Sequence, residues 1–159
     1  MSNIDKAEKN LARQLDWINR FDGRLFFVSG ISFAMLGIGS AAAGSLIEDV
    51  DGYIAFLLVT TYGLLGLSVF HSLKGFFPKT KAANDSLLYF GSIGSNTLKV
   101  FKNRFSVISE AGYLDDLLEQ IYINALILSQ KFYHMRKSLI AIICSLPFWA
   151  LLIISGNPF

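Results

Sequence analysis

Residues 25–47 read LFFVSGISFAMLGIGSAAAGSLI, 23 positions without a charged side chain. At 1.5 Å of rise per residue, one helix of that length covers the roughly 30 Å hydrocarbon core of a bilayer. Two more runs repeat the pattern, GYIAFLLVTTYGLLGLSVFHSL at 52–73 and SLIAIICSLPFWALLIISGNPF at 138–159. A bilayer core offers no water to backbone N–H and C=O groups, so each run is expected to close its hydrogen bonds within itself. The fold class expected is all-α: an integral membrane protein with three transmembrane helices, at 25–47, 52–73 and 138–156, and a small helical cytoplasmic region.

Orientation follows from the basic residues. The first tail, 1–24, carries Lys6, Lys9, Arg13, Arg20 and Arg24, and the central segment 74–137 has Lys74, Lys79, Lys81, Arg136 and Lys137 beside its membrane ends. The turn 48–51, Glu48-Asp49-Val50-Asp51, has none. By the positive-inside rule the N-terminus and the central segment face the cytoplasm, while the acidic turn and the tail 157–159 face out. An odd number of crossings agrees with both counts.

Composition points the same way. The chain of 159 residues is 53% hydrophobic and 14% aromatic, with a mean hydropathy of +0.48. That is too apolar for an ordinary soluble domain, and a net charge of +2 is too small to suggest a nucleic-acid polymer as partner. The single cysteine, Cys144, lies inside the third run, so neither an intrachain disulfide nor a Cys-based metal site is expected. The first run is too long for a signal-peptide core and follows a polar tail; it reads as retained.

Along the chain, Ile4, Ala7, Leu11, Leu15 and Ile18 recur at steps of three and four, the spacing of one apolar helical face. That face packs on the central segment or lies on the membrane, where Trp17 and Phe21 suit the interface. Asp22-Gly23-Arg24 is expected to interrupt the pattern, with Gly23 allowing a bend. The first span is rich in small residues. Gly37 with Ala41, and Ser40 with Gly44, let helix backbones approach closely, and Gly63 and Gly66 offer gaps on the second span. The partner is either the second span or another copy of the chain, which makes a homo-oligomer. Phe77-Pro78 ends the second span. Ala82 to Phe90 and Thr97 to Ile108 read as two short helices, and a stripe from Leu114 through Leu117, Leu118, Ile121, Ala125 and Leu128 to Phe132 reads as a third. No breaker stands between Gly112 and Pro147, so the last helix is expected to run on into the third span.

Motifs of catalysis are absent. There is no Gly-x-Ser-x-Gly, no Gly-x-x-x-x-Gly-Lys-Ser/Thr and no His-Glu-x-x-His. His71 and His134 stand far apart in sequence, and His71, beside Lys74, reads as a headgroup anchor more often than as a pH-sensing or pore-lining group. No catalytic residue, metal site or resident cofactor is expected. Asp115, Asp116 and Glu119 form an acidic cluster, more often a solvated face than a site. Lys99, Lys102 and Arg104, interleaved with Phe101 and Phe105, form the most notable cationic group, one that could hold a phosphate while a ring stacks on a base. A basic helix facing anionic lipid is the competing reading.

With those residues laid out, the whole chain resembles the small membrane effectors of Pycsar, the bacterial antiphage systems built around a pyrimidine cyclase. The resemblance runs through Asp22-Gly23-Arg24 entering the first span, the close helical hairpin, Phe77-Pro78, Leu88-Tyr89-Phe90-Gly91, and Lys131-Phe132-Tyr133 leading to Arg136. It implies that a partner cyclase makes cyclic CMP or cyclic UMP during infection, and that the effector senses it and impairs the bacterial inner membrane, causing abortive infection. It transfers no ligand contact to any residue, and the usual β-roll nucleotide-binding domain is not recognisable in the chain. The alternative is a non-gated membrane anchor or assembly scaffold docking a cytoplasmic partner. A pore that opens by concentration alone is a third reading.

Overall fold

A computed structural model describes residues 2–46, 50–78 and 86–156. Its helices are α1 (Asn3–Gly44), α2 (Gly52–Phe76), α3 (Phe90–Ser95), α4 (Leu98–Val107) and α5 (Glu110–Gly156). No strand occurs among the described residues. Helices α1, α2 and α5 are each long and apolar enough to cross a membrane, and the chain is an all-α membrane protein. Glu48 and Asp49 of the acidic turn, Lys79 to Lys81, the start of the expected helix at Ala82, and the tail 157–159 lie outside the described residues.

The helix starts are fixed by short polar side chains. Ser2 and Asp5 form a reciprocal capping box, Ser2 N–H donating to Asp5 Oδ2 at 2.7 Å and Asp5 N–H to Ser2 Oγ at 3.1 Å. Asp51 accepts from Ile54 N–H at 2.8 Å, Thr97 from Val100 N–H at 3.4 Å, and Ser109 from Gly112 N–H at 3.1 Å. Asp51 of the acidic turn is thus the N-cap of α2.

Two local expectations change. The helix at Ala82–Phe90 is replaced, over residues 86–89, by a non-helical turn, and α3 begins at Phe90 with Gly91 and Gly94 inside it. Ser86 Oγ accepts from the N–H groups of Leu88 (3.0 Å) and Tyr89 (3.1 Å), and Leu87 N–H donates to Asp116 Oδ2 at 2.7 Å. These local bonds occupy the amides that a helix would need. A Cβ on Gly91 would stand 2.5 Å from the Tyr89 ring, so the glycine makes room for that ring. The interruption at Asp22-Gly23-Arg24 is absent too, because α1 continues through it. Asp22 instead pairs with Lys131.

The chain divides into two compact units, Met1–Phe21 with Pro78–Gln130, and Asp22–Phe77 with Lys131–Phe159. In the first unit Ala7, Leu87 and Leu117 are buried. The covered stripe of α1 there runs through Ile4, Ala7, Leu11, Gln14 and Ile18. Leu15 is exposed, because the three-four repeat reaches position 14 first. Leu118 and Phe132 of the α5 stripe are also exposed, whereas Leu117 and Gln120 are buried.

The second unit packs the apolar parts of α1, α2 and α5. Val28, Met35, Leu65 and Ile142 form its core cluster, flanked by Ile31, Leu36 and Trp149. Close approaches occur at Gly75, where a Cβ would meet Leu25 Cδ1 at 3.0 Å, and at Gly156, where it would meet the Ala42 carbonyl oxygen at 2.5 Å. Large apolar side chains point out of this unit, Phe26 and Val59 each 75% exposed. Water penalises that arrangement and hydrocarbon does not. Gly37, Ser40, Ala41, Gly44, Gly63 and Gly66 also lie on exposed faces, and a Cβ on any of the four glycines would meet nothing within 4 Å. Within one chain the α1–α2 packing leaves these small residues uncovered, apart from Ser40 Oγ, which meets Tyr62 Oη at 3.1 Å.

Candidate functional site

The first unit holds an open cavity of about 340 Å³. The turn at Ser86-Leu87 forms one wall, α4 contributes Arg104 and Val107, its C-cap Ile108 follows, and the first turns of α5 contribute Asp115, Asp116 and Glu119. Two sequence signals that looked separate, a basic helix and an acidic cluster, therefore meet here. Asp116 is held by the Leu87 N–H through Oδ2, while its Oδ1 is covered and has no hydrogen-bond partner. The acidic cluster is thus part of a mixed-charge wall rather than only a solvated face. Of the five nucleotide candidates, Arg104 lines the cavity. Lys99 and Lys102 are exposed on α4, and the rings of Phe101 and Phe105 lie 6.1 Å apart on the same helix. Nearby, Tyr113 Oη donates to Glu8 Oε1 at 3.1 Å, tying α5 to α1. Partial burial raises the Tyr113 pKa above the ordinary phenol value, and the Glu8 carboxylate pushes it the same way.

The second unit carries a polar chain through its interior. Ser32 Oγ lies 2.8 Å from Ser68 Oγ, Ser68 Oγ 2.7 Å from Ser138 Oγ, and Ser138 Oγ 2.9 Å from Ser72 Oγ. All four residues are at most 1% exposed. The chain draws on α1, α2 and α5 and runs from helix to helix. Ser32 Oγ also donates to the Val28 carbonyl at 3.2 Å. One direction then satisfies every proton: Ser72 to Ser138, Ser138 to Ser68, Ser68 to Ser32, Ser32 to Val28. Such bonds between spans matter because hydrocarbon offers a stray hydroxyl no alternative.

Beside this ladder, His71 Nδ1 and His134 Nδ1 stand 3.0 Å apart, with ring centroids at 5.3 Å. The pair brings together two histidines that stand far apart in sequence, and gives His71 a partner within the bundle. Such a contact requires a proton on one Nδ1 and a lone pair on the other. Lys131, its side chain 5% exposed, bonds to the Asp22 carboxylate in the same unit. Farther along the bundle, Trp149 Nε1 donates to the Met35 carbonyl at 2.9 Å, and Ser45 Oγ to the Gly156 carbonyl at 2.6 Å.

The ladder and the histidine pair escape sequence reasoning because serine in a span is locally ambiguous. Its hydroxyl can bond the carbonyl three or four residues back, as Ser29 does to Leu25 at 2.8 Å, or cross to a neighbouring helix. A signal was nonetheless present. Ser68 and Ser72 are four apart on one face of α2, close to the end of the second run, and Ser138 opens the third run.

The family described as Pycsar effector protein domain matches residues 6–156. A Pycsar effector protein of Gulbenkiania mobilis, GmPycTM, is 26% identical across 89% of this chain and 86% of its own length. EcPycTM, the Pycsar effector protein of Escherichia coli, is 29% identical across 81% of this chain and 80% of its own. No solved structure matches.

Proposed function

The chain belongs to the Pycsar effector family, and we propose that this transmembrane antiphage effector senses a cyclic pyrimidine nucleotide and impairs the inner membrane, causing abortive infection. A partner cyclase supplies cyclic CMP or cyclic UMP on infection. The observation that carries this reading is the family match over nearly the whole chain, spans included. The N-terminus and segment 74–137 lie in the cytoplasm by their basic residues, and the C-terminus lies at the outer face. The exposed small residues Gly37, Ala41, Gly63 and Gly66 support assembly with further copies of the chain, whose backbones they let approach.

The cavity beside Arg104 is the sensor in this proposal. Its guanidinium meets the cyclic phosphate, and the carboxylates opposite can only accept hydrogen bonds. Cytosine presents an amino group to such an acceptor where uracil presents a carbonyl, which favours cyclic CMP. A ligand shifts a conformational equilibrium only through unequal affinity for the two states. The covered, partnerless Asp116 Oδ1 supplies a reason for that inequality, since a state in which it meets a donor is relieved of an unsatisfied buried group.

The test is membrane potential in bacteria that express the effector together with a cytidylate or uridylate cyclase. Depolarisation is expected with the cytidylate cyclase, and Arg104→Gln should weaken it more than Lys99→Gln or Lys102→Gln. A response that survives Arg104→Gln moves the sensor elsewhere. Silence with both cyclases, with the effector present in the membrane, leaves the anchor or scaffold reading in its place.

A further inference from the structure

The interior of the second unit is layered. Gly75 lies against Leu25, and Gly156 against Ala42, so α1 runs antiparallel to α2 and parallel to α5. Moving outward from the serine ladder, three residues along α1 lead from Ser32 to Met35. Three back along α2 lead from Ser68 to Leu65, and four along α5 from Ser138 to Ile142. Met35, Leu65 and Ile142 belong to one core cluster with Val28, each at most 6% exposed. Beyond it the polar groups return: Thr61 on α2 and Ser145 on α5, both fully buried, each seven residues from its ladder serine. Seven residues is roughly 10 Å of helix. Thr61 Oγ1 has no hydrogen-bond partner, and Ser145 Oγ reaches only its own helix, at the Ile142 carbonyl.

We infer that Met35, Leu65 and Ile142 form a dewetting gate between two hydroxyl layers, closing a narrow path for protons and small monovalent ions through a single three-helix bundle. An apolar constriction between polar layers is stable dry or wet, and a small separation of its walls decides which. When the helices part, the ladder serines exchange one another for water, and Thr61 gains the partner it lacks. The residues that pin the dry state therefore line the wet one. No acidic or basic side chain of α1, α2 or α5 lies between the ladder and the Thr61–Ser145 layer, so width and hydroxyl dipoles govern what passes. Solutes of dye size are excluded by a path that three helices enclose. The inference deepens the proposed membrane impairment by making it selective leakage rather than bulk disruption.

The experiment needs no nucleotide. Purified full-length protein is reconstituted into liposomes holding a pH-sensitive dye and a larger, self-quenched fluorescein dye, with an imposed potassium gradient. Leu65→Ser places a hydroxyl in the gate and is expected to raise ligand-free proton or potassium flux at least tenfold over wild type, with the larger dye retained. Ile142→Thr, a gentler change, should raise it in the same direction. Leu67→Ser, at an exposed position of α2, should leave the flux at the wild-type level. Helical circular dichroism and monodispersity in detergent identify folded variants. Gate variants that are folded and as tight as wild type overturn the inference, as does loss of the larger dye together with the ions. Cyclic CMP and cyclic UMP are then added to wild type. A silent wild type with leaky gate variants removes nucleotide sensing and keeps the gate, whereas a responsive wild type with tight gate variants does the reverse.

Discussion

Two buried polar interiors sit in this chain, and they are finished to different degrees. In the second unit, four serines from three helices satisfy one another, and Lys131 finds Asp22. In the first unit, Gln14 Oε1, Asp116 Oδ1 and Gln120 Nε2 are covered without partners. The contrast follows the solvent. Hydrocarbon gives an unmatched group nothing to bond, so the serines buried among the spans gain most by pairing with one another. A region in water can keep an unsatisfied atom at moderate cost, and such an atom is where a ligand or partner gains most. Thr61 Oγ1, the one partnerless buried side-chain atom described in the second unit, lies beyond the apolar gate.

Breaking the ion pair gives the largest expected effect. Asp22→Asn leaves the Lys131 ammonium, 5% exposed, without its counter-charge and should destabilise the protein by about 2 kcal/mol, below the fully buried range because Asp22 is 41% exposed. Lys131→Met removes the more buried partner and leaves a carboxylate near solvent, so its cost should be less than half as large. Denaturant titration of the purified protein in detergent measures both. Equal losses would mean that the pair is not asymmetrically buried as described.

The pair and the ladder also mark the limit of what sequence could say. Three spans, the all-α class and the family resemblance were legible because hydropathy and short motifs are local properties. Gln14 displacing Leu15 from the covered stripe was within reach of the same three-four repeat. The closeness of His71 and His134, 63 residues apart in the chain, was not, since it depends on how α2 and α5 are set against each other. Nor was the meeting of Arg104 with Asp115 and Asp116, which requires the turn between α4 and α5. The small-residue motifs were legible as residues but not as contacts. The tight approaches fall at Gly75 and Gly156 instead.

A paired substitution sharpens the comparison at smaller amplitude. Ser138 Oγ contacts both Ser68 and Ser72, so Ser138→Ala breaks two hydrogen bonds, leaving Ser68 its bond to Ser32 but taking from Ser72 the partner it has here, and should cost about 1 kcal/mol, within the range seen for hydrogen bonds between membrane helices. Gln120→Met in the first unit removes an orphaned amide at similar volume and should be neutral or stabilising by up to about 1 kcal/mol. Opposite signs from two buried polar deletions, read in the same unfolding assay, would establish that the two interiors differ in kind. A loss at Gln120 equal to that at Ser138 would mean that the first unit's amide is satisfied in solution.

The smallest expected effect is alkaline and confined to the first unit. Tyr113 has its pKa raised, first by burial and then by the hydrogen bond and charge of Glu8. Its phenol therefore stays protonated in the folded chain at pH values where the unfolded chain has begun to ionise. The resulting stabilisation is complete below the ordinary phenol pKa of about 10 and is lost as pH rises from there through the folded value. Unfolding midpoints measured between pH 8 and 11 should thus fall faster for wild type than for Tyr113→Phe, which has no phenol to ionise and no bond to Glu8. At pH 8 the same variant should show only the modest loss of one exposed hydrogen bond. Parallel pH profiles for the two proteins would mean that Tyr113 meets water rather than Glu8, and that α1 is held to α5 in this unit by its apolar stripe alone.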